Sequence, residues 1–343
     1  MYYRNSFQRA IVASKFTLPS VAIFSTIMWA LTYSFSAYTL DACQQAHGLW
    51  YIMPEAVTTG VPSLVMGFMA CTLAVYLMAE FNNKFVLLRI SSRMLSTLLG
   101  VLLTSCAFIH QFQLAHIVLL LTLATYFPFF GSYQNHNSMP QILIAYLLIG
   151  ISSLFFPKYL FLVPIYWVGQ IVLRSFTLRT FGASVFGCIL PYWLFFGTAF
   201  VNDELGTTME HFTGCLSFAA PDFSQWTLNQ NLMVLFTLIL AAFGIVDFYN
   251  NSYKDKTKAR ITYNVVVIFV ITSFLFLILD TSHFNEIFPI VLINTAIISG
   301  HHLAQSNSRF SNIYTIVCTI CIACIMVANL MGEEMIRGLI GAL

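Results

Sequence analysis

The sequence predicts an all-α polytopic integral membrane protein, a single transmembrane helical bundle over residues 1–343, and three observations carry that expectation. The chain is 59% hydrophobic and only 8% charged, whereas a soluble domain carries about 25% charged residues. Apolar runs of the roughly 20 residues that a helix needs to cross a bilayer recur along nearly its whole length. Lys and Arg gather in alternate gaps between those runs, as they do in short cytoplasmic loops. With so little charge the chain cannot coat itself in a polar surface, so its solvent is largely lipid.

The opening stretch MYYRNSFQRAIVASKF is aromatic and basic. No small-residue cleavage site closes a short apolar region after it, so the first span is expected to be retained as an anchor. Residues 1–15 are expected on the cytoplasmic side, either as an interfacial amphipathic segment or as a short polar tail.

About eleven spans are then expected. The first five lie near Phe16–Leu40, Gly60–Glu80, Leu95–His110, Leu114–Phe130 and Met139–Phe156. The next three lie near Tyr159–Arg174, Thr180–Val201 and Thr227–Tyr249, and the last near Ile261–Asp280, Phe284–Leu303 and Ile313–Met331. Pro164, Pro191 and Pro289 are expected to kink their helices. Gln170 and Asn294 are the notable polar groups inside spans, where hydrogen bonds between helices are their simplest use.

Charge sets the orientation. Arg4, Arg9, Lys15, Lys84, Arg89, Arg93, Arg174, Arg179, Lys254, Lys256, Lys258, Arg260 and Arg309, 13 of the 15 basic residues, fall in alternate loops. Lys158 and Arg337 fall on the other side. The N-terminus is therefore expected in the cytoplasm, the C-terminus in the periplasm, and the protein in the cell inner membrane. Ten of the 13 acidic residues map outside: Asp41, Glu55, Asp203, Glu204, Glu210, Asp222, Asp280, Glu286, Glu333 and Glu334. Exclusion of cations from outer loops accounts for much of that bias. No Asp, Glu, Lys or Arg falls at mid-membrane, which counts against an ion-coupled pump or transporter.

The crossing Arg174–Trp226 ends in the largest outer loop, residues 202–226, NDELGTTMEHFTGCLSFAAPDFSQW. It offers Asp203, Glu204, Glu210, His211 and Asp222 as candidate catalytic residues, and the first outer loop adds Asp41 and Glu55. Lys158 is the candidate phosphate ligand on that side. Cys43 and Cys215 both map outside, where an oxidising compartment permits a disulfide, and are expected to pair. His47, His110, His116, His211 and His283 also map outside. Because no HExxH or one-turn His pair occurs among them, no metal site is assigned and no cofactor is expected, with a divalent metal as the open alternative. Cys318, Cys321 and Cys324 form C-x-x-C-x-x-C inside an apolar span, without a His or fourth thiol, and read as helix packing. GEEMIRG has one residue too few for the E-E-x-x-x-R motif of CAAX-type membrane proteases. No G-x-S-x-G elbow, P-loop or dinucleotide fingerprint occurs.

Two resemblances follow from these residues. RSFTLRTFGASVFGCILPYWLFFGTAF, with LIGISSLFFPKYLFLVPIYW before it, resembles an uncharacterised family of multi-pass inner-membrane proteins of Bacteroidota, which implies location and no chemistry. In outline the chain also looks similar to polyprenol-phosphate-dependent glycosyltransferases of the GT-C type. That resemblance implies an acidic residue of the first outer loop, Asp41 or Glu55, as base or metal ligand. The chain departs from that pattern: it lacks a paired D-x-D or D-E there, and its outer loops hold few cations.

The leading expectation is a polytopic inner-membrane protein of unassigned activity, serving the cell envelope through an acidic periplasmic face. Its alternatives are a lipid-linked sugar transferase, a lipid or small-molecule transporter or flippase, and a non-catalytic subunit. The expected partners are the lipid bilayer, other envelope membrane proteins and lipid-linked glycans, and no nucleic acid.

Overall fold

The computed structural model describes residues 7–14, 16–35, 49–50, 53–90, 92–135, 137–206, 209, 212, 220–306 and 308–330. Among the described residues the regular structure is entirely helical, with no strand. The chain opens with α1 (Phe7–Ala13), α2 (Thr17–Phe35), α3 (Glu55–Thr58) and α4 (Gly60–Phe85). It continues with α5 (Met94–Thr104), α6 (Leu114–Gly131), α7 (Met139–Phe155), α8 (Val163–Val172) and α9 (Leu178–Val201). The last four are α10 (Leu228–Asn251), α11 (Thr257–Leu279), α12 (Phe284–Gln305) and α13 (Arg309–Leu330).

Each of the eleven expected spans carries a helix, but they are not equivalent. Among the described residues seven helices (α4, α6, α9, α10, α11, α12 and α13) are long and apolar enough to cross a membrane, and α1–α2, bent by 94°, makes an eighth span if taken as one. α7 has 17 residues, while α5 and α8 have 11 and 10. At about 1.5 Å per residue, α5 and α8 rise about half of a hydrocarbon core roughly 30 Å thick. α5 tolerates this because nearly every residue in it is buried in protein. Broken helix and irregular backbone survive at membrane depth only where protein, not lipid, surrounds them.

Local chemistry sets several helix starts. Thr177 and Thr180 bond reciprocally, side chain to backbone N–H, at 3.2 and 2.8 Å, opening α9. Thr227 and Gln230 do the same at 3.2 and 2.9 Å for α10, the reciprocal cap that satisfies two otherwise orphaned donors. Pro164 stands in the first turn of α8, where no intrahelical N–H is needed, so it starts a helix and does not interrupt one. Pro191 and Pro289 lie inside α9 and α12.

α12 is the axis of the bundle. It is buried along its whole length, packed by α5, α6, α10 and α11. Small residues let the neighbours close in: a Cβ on Gly300 would stand 3.1 Å from Leu95, and one on Gly244 of α10 would stand 3.1 Å from the Ile298 carbonyl. Polar groups on α12 are tied to those neighbours. Tyr126 donates to Asn294 Oδ1 at 2.6 Å, and Ser299 donates to the Leu240 carbonyl at 2.9 Å. Asn294 therefore bonds between helices as expected. Gln170 does not: its side chain is fully buried, and neither amide atom has a hydrogen-bond partner among the described residues.

α9 lies at the periphery against α7. A Cβ on Gly187 would stand 2.9 Å from the Leu143 carbonyl, so the two backbones touch. The rest of α9 faces outward, with Trp193 and Val201 72% and 80% exposed, the surface expected of a helix bathed in lipid.

The interhelical turns sort to two ends. At one, Gln8 of α1 donates to the Leu303 and Ser306 carbonyls, the Gln134 N–H reaches the Leu173 carbonyl, and Arg89 meets Asp255. At the other, the Phe112 N–H donates to Ser63, Lys158 meets Asp280, and Trp226 donates to Thr281. The first holds the arginines and lysines of the turns after α4, α8 and α10 and is called the basic end; the second is the acidic end.

Candidate functional site

The acidic end centres on the turn between α11 and α12. Asp280 ends α11, its N–H returning to the Phe276 carbonyl at 3.0 Å. Its Oδ2 stands 2.8 Å from Lys158 Nζ and its Oδ1 3.0 Å from His283 Nδ1. Lys158 Nζ and His283 Nδ1 are 3.3 Å apart, so the three groups close a triangle. Lys158 arrives on the tight helical turn Pro157–Leu162 that follows α7. The Lys158 and Asp280 side chains are 2% and 1% exposed and that of His283 12%, which leaves the imidazole as the member that reaches the surface. One turn into α12, Glu286 is buried, and its Oε2 has no hydrogen-bond partner among the described residues. Burial pushes the Asp280 carboxyl up, but the hydrogen bonds and charges of His283 and Lys158 outweigh it and hold Asp280 below the ordinary carboxylate range.

Residues 220–227 lie over this turn. The Asp222 N–H donates to Thr281 Oγ1 at 3.0 Å, and Trp226 Nε1 donates to the Thr281 carbonyl at 3.0 Å. The Trp226 ring packs edge-on against Phe284 at 5.0 Å, and Phe108 meets the same ring at 5.6 Å. The Asp222 carboxylate is exposed and accepts from the Ser224 N–H and hydroxyl and from Gln225. The Ser224 bonds hold it below its usual range. A buried carboxyl beside an ion pair and an imidazole that reaches the surface is a set of groups that can take and pass a proton.

Among the sequence candidates, Lys158 is thus gathered with Asp280, His283 and Glu286, and Asp222 is tied to them through Thr281. Lys158, expected to hold a phosphate, has a carboxylate within ion-pair distance. Asp203 and Glu204 are exposed just past α9, Asp203 in a left-handed conformation (φ 59°). Glu55 is the first residue of α3. Asp41, Glu210, His211, Cys43 and Cys215 lie outside the described residues. His110 is not part of the acidic surface. It is buried, stacked on Trp29 at 3.7 Å and bonded to Thr32 and the Thr104 carbonyl. Among the described residues no three His, Cys, Asp or Glu side chains are placed to hold a metal ion. Cys318, Cys321 and Cys324 are free on α13.

The basic end carries a second buried cluster that the charge pattern does not announce. Asp255 accepts from Arg89 Nε at 2.6 Å, and its Oδ2 lies 3.0 Å from His301 Nε2. His302 Nδ1 stands 3.1 Å from Asp247. The consecutive histidines in the apolar run ISGHHLA are the one sequence signal for it.

No protein-family model matches the chain, and no curated protein matches it. Among solved structures it is similar to the oligosaccharyltransferase of Archaeoglobus fulgidus. The apo form aligns at TM-score 0.52 and 12% identity, over 93% of this chain and 56% of that one. The form tethered with an acceptor peptide containing the NVT sequon aligns at TM-score 0.48 and 12% identity, over 92% of this chain and 55% of that one. The chain spans little more than half the length of that protein, and at such identity the likeness to the apo form is one of fold.

Proposed function

We propose that the chain is an inner-membrane glycosyltransferase of the GT-C type, taking a sugar from a polyprenyl-phosphate carrier at the acidic end of the bundle. One observation carries the reading: 93% of the chain follows the fold of the apo oligosaccharyltransferase at TM-score 0.52. Fold alone does not assign chemistry, and the side chains of the acidic end add the second support. Asp41 and Glu55 in the first outer loop are the carboxylates for an acceptor's proton or a divalent metal. Asp203, Glu204 and Asp222 lie at the same end, and Glu210 and His211 belong to the same loop of the sequence. Lys158 is the cation for the carrier phosphate, in competition with Asp280. His283, in contact with both and reaching the surface, is the route by which a proton leaves. The acidic end faces the periplasm in this reading, since the basic loops stay in the cytoplasm.

The test is transfer from radiolabelled polyprenyl-phosphate sugars by the full chain in nanodiscs. Transfer that is lost in Asp41→Asn or Glu55→Gln, at unchanged yield and thermal stability, supports the reading. No transfer from any donor, together with loss of co-purifying membrane proteins when residues 203–226 are cut, replaces it with a non-catalytic subunit.

A further inference from the structure

At the basic end a polar hollow of about 640 Å³ opens between the last turn of α1, the end of α4 and the turn into α5. Its walls include Ser14, Asn82, Asn83, Arg89 and Arg93, and among the described residues no carboxylate lines it. Arg93 is exposed, and the Arg89 side chain, though bonded to Asp255, is 34% exposed. The walls are fixed by Asn82 donating to the Ser92 carbonyl at 3.0 Å and Ser92 donating to the Val12 carbonyl at 3.1 Å.

A second cleft, of about 310 Å³ and almost wholly apolar, lies between α2, α5 and α13. The two adjoin along the chain. Val12 and Arg93 line the hollow, while their neighbours Ile11 and Met94 line the cleft. Along α13 the cleft runs from Thr315 to Met326, a rise of about 16 Å, close to the half-thickness of a hydrocarbon core of about 30 Å. Exposed Phe24, Thr319 and Ala323 stand along it, so it opens sideways, towards lipid.

We propose that these two hollows form one site for an anionic glycerophospholipid. The headgroup phosphate sits against Arg93 and Arg89, with the asparagine amides as further donors, and one acyl chain lies in the cleft between α2 and α13. The charge of the hollow selects the anion, the depth of the cleft selects the chain, and neither feature depends on sugar transfer. The site is at the opposite end of the bundle from the proposed reaction.

The full chain in zwitterionic detergent is titrated with phosphatidylglycerol, phosphatidylcholine and glycerol 3-phosphate, and bound lipid is read by native mass spectrometry and thermal shift. Phosphatidylglycerol is expected to bind and raise the melting temperature, and the other two are not. Arg93→Gln is expected to weaken phosphatidylglycerol binding about fivefold to tenfold, and Ala323→Trp, which fills the cleft, to weaken it as much. Arg260→Gln, an exposed charge at the same end, should leave it unchanged. Equal binding of phosphatidylcholine, equal binding of glycerol 3-phosphate, or equal loss in Arg93→Gln and Arg260→Gln would each overturn the proposal. So would wild-type affinity in Arg93→Gln.

Discussion

His301 Nε2 and Asp255 Oδ2 lie 3.0 Å apart with both side chains about 1% exposed, and Arg89 closes on the other carboxylate oxygen at 2.6 Å. The contact joins the turn after α10 to the far end of α12. Removing the carboxylate strands an imidazole and a guanidinium at once. Breaking a buried pair costs about 3–5 kcal/mol, and because Arg89 is a third exposed, Asp255→Ala is expected at about 3 kcal/mol. Thermal unfolding in nanodiscs reads the loss.

The same residue fixes an acid limit. Burial raises the Asp255 carboxyl, but the bonds and charges of His301 and Arg89 outweigh it and bring it below the ordinary value. A depressed carboxyl stabilises the fold fully above its unfolded value of about 3.9, and that stability is lost as pH falls through the lower folded value. Wild type should therefore lose melting temperature below about pH 4 more steeply than Asp255→Asn. Parallel profiles would show that Asp255 is not the group responsible.

At the acidic end, Lys158 and Asp280 are each nearly inaccessible. Lys158→Met leaves a carboxylate with one partner fewer and is expected to cost about 3 kcal/mol. Lys158→Met with Asp280→Asn removes both charges and should recover more than half of that loss. A double variant as unstable as the sum of the two single ones would show that the pair is not coupled.

Glycine contacts grade the packing. A Cβ on Gly67 would fall 2.3 Å from the His110 carbonyl oxygen, while one on Gly182 meets nothing within 4 Å. Gly67→Ala is expected to destabilise by about 2 kcal/mol through forced backbone movement. Gly182→Ala, in an open helical position, should gain about 0.5–1 kcal/mol. The two melting temperatures should move in opposite directions.

Sidedness is testable with two exposed positions. Tyr253 is 71% exposed at the basic end and Phe223 48% exposed at the acidic end. In spheroplasts, Phe223→Cys is expected to react with a membrane-impermeant maleimide and Tyr253→Cys only after lysis. The reverse pattern would invert the topology and, with it, the compartment that permits the Cys43–Cys215 disulfide.

Much of the fold was legible because hydropathy reports burial in lipid directly: each of the eleven expected runs carries a helix among the described residues. Length was less legible. α5 and α8 read as spans because their runs continue through turns, and only packing shows that helix stops at Thr104 and begins at Val163. The acidic end could be read from charge, but the Lys158–Asp280–His283 triangle could not. Its members lie 122 and 125 positions apart in sequence from Lys158, and no local spacing encodes such a meeting. Gln170 marks the opposite failure, a polar residue inside a span whose expected bond no described residue supplies.

α12 is the least apolar of the seven long spans and carries Glu286, Asn294, His301 and His302. Entering lipid alone would cost it dearly, since ionisable and amide groups in hydrocarbon are expensive. The four helices that pack along it, α5, α6, α10 and α11, and Lys158, Arg89 and Asp255 at its two ends, precede it in the chain. By the time the ribosome delivers α12, its socket already exists. Biogenesis therefore has a built-in order, and a nascent chain stopped after α11 would hold an empty slot flanked by the Arg89–Asp255 and Lys158–Asp280 pairs and still lacking His301 and His283, the state that a membrane insertase or chaperone would have to shelter.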